Sequence, residues 1–446
     1  MSLVLRPSPC RLRRVTGFLA KLLRLAWPVT LARLGIMGMG LCDVIVVGQL
    51  APNELPHQAL GWAPTAVFLV SGIGMLTGVQ VLAARAIGAG NPQAAGSAWR
   101  RGVVVSLVTG GLAVAGMWCG GSRLFSLFGI ARVLAEPSAA VMRVLALSIP
   151  LHLLYIASAF FFEAIQRPLP STIVMAGANL VNVALNLLLV PKYGAIGSAW
   201  ATVGARLFLA GTLGIWALCL EDAPRFGLRL RARGTGPGYG EFLRVGSAAA
   251  LSQAAEAGAF SGMTIIAGRS GGQAVAAYQI LLNMLAVVFM VALGFAAATS
   301  VLTSEAIGRS LSRDAARASW SGVVLNSAFM LAIAGLIALF ARSIAGVYTA
   351  DHELAALTAN LMPLAAAILV PDGNQAVASA ALRAHRDNWF PTASHVFAYA
   401  LVMPALALAL AEGRGLGVAG LLYAILWSSV LSVGVLLLRL WALTRR

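Results

Sequence analysis

The sequence predicts an all-α polytopic membrane protein, with twelve transmembrane helices arranged as two pseudo-symmetric six-helix bundles. Three observations lead there. Of the 446 residues, 59% are hydrophobic and 11% charged, with a mean hydropathy of +0.86; a water-soluble exterior cannot hide that much apolar surface. Apolar runs of roughly 20 residues recur along the whole chain, each long enough to cross a bilayer as a helix. They are continuous and do not alternate in and out, which excludes a membrane barrel. The two halves of the chain also align on each other at a shift near 220 residues.

The elements follow in order. A basic arm, 1–21, runs into a first span at 22–50 without the short apolar core and small-residue cleavage site of a signal peptide. Further spans are expected at 57–84, 102–120, 139–161, 170–190 and 195–219, completing an N-terminal bundle over 22–220. The charged, Gly/Pro-rich stretch "EDAPRFGLRLRARGTGPGYGEF" then forms a linker, 221–243. Six more spans, at 244–268, 275–303, 320–346, 354–382, 390–411 and 416–439, make a C-terminal bundle over 244–440, followed by a short tail, 441–446. Trp27, Trp62, Trp99, Trp118, Trp216, Trp320, Trp389 and Trp441 fall near span ends, where an interfacial belt would place them.

The net charge of +17 orients the chain and does not mark a nucleic-acid binder. With the N-terminus inside, 23 of the 32 Lys and Arg residues fall on the cytoplasmic side, Arg383 and Arg386 among them, and 7 on the other. That bias is the positive-inside rule, so both termini are expected in the cytoplasm and the chain in the inner (plasma) membrane. Four scattered cysteines and five scattered histidines offer no metal, redox or nucleophile spacing, which argues against an intramembrane enzyme.

The internal repeat rests on three matches. At a shift of 220, "RAIGAGNPQAAGSAWRRGVVV" (85–105) falls on "EAIGRSLSRDAARASWSGVVL" (305–325), with eight of 21 positions identical. At 221, "IPLHLLYIASA" (149–159) falls on "VPDGNQAVASA" (370–380), and near 223, "GAIGSAWA" (194–201) meets "GVAGLLYA" (417–424). Six spans per half give the halves the same orientation, related by an axis along the membrane normal, an arrangement found in secondary transporters.

Against this scaffold, three acids stand inside spans: Asp43, Glu256 and Asp372. A mid-helix charge costs about 2.5–3.5 kcal/mol on insertion scales, so such residues persist where a cavity, a partner or an ion receives them. At the repeat shift they face Met263, Ile36 and Leu151, so the scaffold is buildable without them. Glu256 and Asp372 lie near mid-membrane in one half and are expected to line one pocket, able to take up a proton or, with carbonyl oxygens, to hold Na⁺. Pro371 is expected to bend or break the helix and expose such oxygens. The competing reading is a structural salt bridge to Arg33 or Arg206, both within spans. Asn179, Asn182 and Asn186 share one helical face and are expected either to line the N-terminal cavity or to hydrogen-bond between helices; Gln279, Asn283, Asn374 and Gln375 are expected to bound the C-terminal pocket. Glu163 and Glu305, at cytoplasmic span ends, are expected to pair with nearby arginines.

These residues resemble the multidrug and toxic compound extrusion (MATE) family over essentially the whole chain. "LCDVIVVGQL" resembles its first-span Asp motif and "LVNVALNLLLV" its fifth span. "AVAAYQILLNMLAVVFMVALGFAAATSVLTSEAIG" is similar to the eighth, and "PDGNQAVASAALRAHRDNWFPT" to the tenth and its exit. Glu256 and Asp372 together resemble the cation-coupling acids of the NorM-type branch. Asn186 stands where another branch would more often have Asp. NorM-type members often carry an aromatic residue one turn before the tenth-span acid; here that position is Ile368, so no phenol is expected from it.

The resemblance implies a V-shaped pair of bundles that exports organic cations in exchange for Na⁺ or H⁺. Asp43, Glu256 and Asp372 would be the coupling acids, Na⁺, if used, would be held by Glu256 and Asp372, and no cofactor would be needed. No GxxxxGK[ST] motif occurs, so direct ATP drive is not expected. The expected partners are a small, cationic organic substrate and the lipid bilayer, with the chain acting as a monomer. A flippase or exporter of a lipid-linked or other amphipathic substrate is the rival reading, since it shares the bundle plan.

Overall fold

The structure, a computed structural model, describes residues 9–127, 132–228, 238–269, 271–349 and 351–445. Residues 1–8 of the expected arm, 229–237 of the linker and Arg446 of the tail lie outside them. Ten helices are long and apolar enough to cross a membrane. One of these, Leu169–Leu218, is two spans. Gly194 (φ 55°, ψ −134°) breaks it shortly after Pro191, and Gly177 then packs on Phe208 and Gly204 on Leu185, the pairing of an antiparallel hairpin. A further helix, Tyr239–Arg269, is rich in Ala, Gly and Ser and carries Glu256, which lowers its apolarity without breaking it. The described spans therefore number twelve.

In chain order they are α1 (Pro9–Leu50), α2 (Leu55–Gly88), α3 (Pro92–Leu127), α4 (Arg132–Ala164), α5 (169–193) and α6 (195–218). The second six are α7 (Tyr239–Arg269), α8 (Gly272–Gly308), α9 (Ser312–Leu339), α10 (His352–Ala384), α11 (Trp389–Glu412) and α12 (Gly417–Thr444). The ninth span ends earlier than its expected limit of 346: the chain leaves the helix at Phe340, and Ala341–Tyr348 is a separate short helix. The tenth is unbroken. Helix α10 runs through Pro363 and Pro371 with no non-helical residue, so the break allowed for at Pro371 does not occur. Irregularity appears in α11 instead, where Val396–Val402 and Leu408–Glu412 are π-helical. Of the tryptophans, Trp27, Trp118, Trp389 and Trp441 are exposed, whereas Trp99 is buried and donates its indole N–H to Ser158 Oγ (3.2 Å).

The cores separate along the repeat. One draws on α2 to α6, with Leu76, Met142, Phe161, Met175 and Leu213; the other draws on α7 to α12, with Met263, Leu281, Met330, Met362 and Leu422. Large apolar side chains such as Leu112, Leu180, Leu188 and Leu438 remain exposed, as a bilayer-facing surface requires.

The repeat also governs the turns. Gly90 (φ 72°) and Ser310 (φ 61°) are left-handed residues closing α2 and α8, as are Gln166 (φ 60°) and Arg386 (φ 68°) closing α4 and α10. Each is followed by the same pair of backbone bonds. Gly90 N donates to Ile87 O and Asn91 N to Ala86 O; Ser310 N donates to Ile307 O and Leu311 N to Ala306 O. This is a helix-ending motif that satisfies the last carbonyls, and it survives in the second half with serine in place of glycine.

The two bundles touch along small residues at the end that carries both chain termini. A Cβ on Gly74 would lie 2.6 Å from the Ala250 Cα, and one on Gly246 would strike the Met75 carbonyl. Leu22, Leu25 and Ala26 of α1 cluster with Phe295, Ala298 and Leu302 of α8. Without a hydrophobic drive inside lipid, close backbone approach at small residues is what joins helices. At the opposite end, nothing lies within 4 Å of where a Cβ would stand on Gly40, Gly258 or Gly262. The bundles meet at one end and part at the other, which is a V.

Candidate functional site

In the N-terminal bundle the site is a fully answered carboxylate. Asp43 of α1 is 7% exposed. Its Oδ1 accepts from Asn182 Nδ2 (2.9 Å) and Asn186 Nδ2 (2.7 Å), and its Oδ2 from Thr202 Oγ1 (2.6 Å). The α5–α6 hairpin at Gly194 brings these donors to one side. Asn179 turns away and bonds the Met175 carbonyl (2.9 Å). Arg206 interacts electrostatically with Asp43 without touching it. Its Nη1 donates to Ser148 Oγ (2.7 Å), and its guanidinium lies 5.3 Å from the centre of the Trp62 ring.

In the C-terminal bundle two carboxylates on different helices interact electrostatically. Glu256 of α7 accepts from Gln375 Nε2 (3.2 Å). Asp372 of α10 accepts from Tyr399 OH (3.2 Å) and Ser429 Oγ (3.4 Å), which lie 3.1 Å from each other. Both acids are half-buried and near enough to interact electrostatically. The phenol that the family pattern would place one turn before Asp372 arrives from another helix: Ile368 is buried, and Tyr399 stands in the π-helical stretch of α11. Such insertions rotate one side chain out of the regular register and recur at functional sites.

The remaining polar candidates are dispersed. Asn374 is turned onto α9, accepting from Asn326 Nδ2 (3.0 Å) and donating to Ser327 Oγ (2.7 Å). Gln279 is exposed and donates to Thr264 Oγ1 (3.3 Å); Asn283 accepts from Tyr348 OH (3.3 Å). Among the described residues, no lysine or arginine forms an ion pair with Asp43, Glu256 or Asp372. Arg33 instead lies over the Phe160 ring, 5.3 Å from its centre.

Four participants escaped the sequence reading. Thr202, Tyr399 and Ser429 are ordinary residues in apolar spans, and only three-dimensional packing aims them at carboxylates. Arg383 was counted with the positive loop residues but is 8% exposed, inside the bundle. A usable signal existed: Asp372, Gln375, Ser379 and Arg383 recur at spacings of three and four, one face of a helix.

The end where the bundles meet carries its own polar layer. Arg85 of α2 pairs with Glu241 of α7 (2.9 Å) and donates to the Ala384 carbonyl (3.1 Å). Glu305 of α8 receives Lys21 (3.6 Å), Arg309 and Gln166. Glu163 forms no ion pair among the described residues; it interacts electrostatically with Arg33 without contact and accepts from Gln80 Nε2 (2.5 Å). His385, just past α10, lies 3.2 Å from Ser319 Oγ; burial, and secondarily the positive charge of Arg85, push its pKa below the ordinary histidine value.

Comparison with known proteins agrees with this architecture. The family model described as MatE matches residues 28–188 and again 248–408, two matches separated by the shift that aligned the halves. The chain is 39% identical over 429 residues to the probable multidrug resistance protein NorM of Caulobacter vibrioides, covering 94% of this chain and 91% of that one. It is 28% identical to the multidrug resistance protein PmpM of Pseudomonas aeruginosa, covering 86% and 82%. Among solved structures, an outward-facing multidrug resistance MATE family transporter superposes with a TM-score of 0.88 at 19% identity, over 96% of this chain and 97% of that one. The eukaryotic MATE transporter AtDTX14 superposes with a TM-score of 0.85 at 17% identity, over 97% and 98%. The chain belongs to the MATE family of membrane transporters, in its NorM-like branch.

Proposed function

We propose that this protein is a secondary antiporter that exports small organic cations through the cleft between its bundles, driven by inward movement of Na⁺ or H⁺. The observation that carries the reading is the Glu256–Asp372 pair: two carboxylates of one bundle that interact electrostatically, are hydrogen-bonded by neutral donors and, among the described residues, form no ion pair. Two like charges in a low-dielectric site repel strongly, so a proton or a small cation between them is favoured. Carboxylate oxygens of Glu256 and Asp372 are the hard ligands a Na⁺ ion would take, and the same carboxylates would take a proton. Asp43 assists from the other bundle, where loss of its three donors as the bundle moves would bare a second carboxylate to a positively charged substrate.

The cleft is closed at the end bearing the termini and open at the other. With the termini in the cytoplasm of a bacterial inner membrane, as the arginine distribution favours, this is the outward-open arm of an alternating-access cycle. The multidrug resistance names of NorM and PmpM support an organic substrate. The test is uptake of ethidium into inside-out proteoliposomes under an imposed Na⁺ or pH gradient, one at a time. Acceleration by one gradient supports antiport. Translocation of labelled lipid with no gradient-driven dye movement supports the flippase reading.

A further inference from the structure

Arg383 lies one residue before the end of α10, within reach of the aqueous end of the bundle, yet it turns inward. A long basic side chain at a helix end ordinarily snorkels toward water. Here the side chain follows the lean of helical residues toward the helix N-terminus, and its Nη1 donates to Ser379 Oγ (3.1 Å), one turn deeper in the bundle. Its Nε and Nη2 atoms are buried and have no partner among the described residues. An unmet N–H on a buried cation is costly, so the residue is held there against its local preference. What answers its charge is Glu256, with which it interacts electrostatically across the bundle without contact.

The interior charges of this bundle then fall into a simple count. Glu256 from α7 and Asp372 from α10 contribute two negative charges, and Arg383 one positive. Among the described residues, the other elements around them bring no further charge inward. Helix α9 presents Asn326 and Ser327, and α12 presents Ser429. From α11 come Tyr399 and His395, whose Nδ1 lies 2.6 Å from Ser252 Oγ of α7. At the end bearing the termini, Glu305 of α8 is paired with Lys21 and Arg309, Arg85 of α2 with Glu241, and Asp387 with Arg439; His385 faces Ser319. One negative charge is left over. In the N-terminal bundle Asp43 is matched by Arg206 and Glu163 by Arg33, each electrostatically and without contact, and none is left over.

We propose that Arg383 is a built-in counter-charge that limits the C-terminal bundle to one monovalent cation per transport cycle. The inference rests on the reading of Glu256 and Asp372 as the coupling site. With Arg383 in place, the first cation brings the interior to neutrality, and a second would leave an excess positive charge in a low-dielectric interior. Without Arg383, the two acids have room for two.

The test uses the full chain in proteoliposomes, with ethidium as a monovalent cationic probe and the membrane potential set by K⁺ and valinomycin. One cation in for one ethidium out moves no net charge. The wild type is expected to respond to the driving cation with a Hill coefficient near one and to be insensitive to potential. R383Q is expected to show a coefficient above one and acceleration by a potential negative on the side to which the driving cation moves. E256Q, where Arg383 alone balances Asp372, is expected to lose cation drive, and E256Q/R383Q to regain the wild-type pattern. That double variant carries the test should R383Q fail to fold.

A wild type whose transport responds to potential overturns the proposal. So does an R383Q protein that behaves as wild type, or a double variant that stays uncoupled; in each case cation-driven antiport still stands. A wild type driven by neither Na⁺ nor H⁺ overturns the antiporter reading, and this inference with it.

Discussion

Gly88 of α2 packs on the backbone carbonyl of Glu305, while Gly308, its counterpart in the repeat, packs on the backbone carbonyl of Arg85. The contact is reciprocal, as between two copies related by a two-fold axis, although both partners belong to one chain. It places the "AIG" segments of the two halves back to back where the bundles meet. The identities that align the halves in sequence are in part the residues that let the halves touch.

Gly308→Ala adds a Cβ where the Arg85 carbonyl already stands. Overpacking of this kind costs about 1–3 kcal/mol, and it acts only where the bundles are closed. We expect a lower unfolding temperature in detergent and greater labelling of cysteines introduced at the end bearing the termini. Unchanged labelling would show that the contact does not hold that end shut.

Tyr399→Phe removes a donor that competes with a cation for Asp372 Oδ1. A hydrogen bond to a charged group contributes about 1.5–3 kcal/mol, or at least about tenfold in an equilibrium. The half-saturating concentration of the driving cation should therefore fall, and turnover should slow if release becomes limiting. A higher half-saturating concentration would mean that the phenol is itself a cation ligand.

His385 lies outside the spans, and burial pushes its pKa down. A base whose folded-state pKa is depressed binds its proton in the unfolded state first. Stability is thus unaffected at neutral pH and declines as pH falls below about 6.5, the ordinary histidine value. Thermal unfolding followed between about pH 7.5 and 5 should show a shallower acid loss for His385→Gln than for wild type. Parallel curves would remove this residue from the acid response.

The repeat, the twelve spans and the three membrane acids were legible in the sequence because each leaves a local mark: a run of apolar residues, a recurring "AIG", a carboxylate among leucines. Asn182 and Asn186 were legible as partners on one helical face, although their ligand, Asp43, was not. The donors Thr202, Tyr399 and Ser429 left no such mark, since hydroxyls in apolar spans more often bond their own helix, as Thr109 and Ser106 do. Asn374 was drawn toward the wrong neighbour because its place two residues after Asp372 puts it about 200° around the helix, on the opposite face. Arg383 was misplaced for a subtler reason. Charge counting assigns an arginine at a span end to the water, and only the direction of its side chain reveals that it faces the membrane interior.

The claim on which the account depends is that the charge of the Glu256–Asp372 pair drives export. The most direct measurement is gradient-driven ethidium transport by Asp372→Asn in proteoliposomes, at matched protein density and with folding verified by thermal unfolding. We predict no acceleration by either a Na⁺ or a pH gradient. Transport at the wild-type rate under the gradient that drives the wild type would contradict the account.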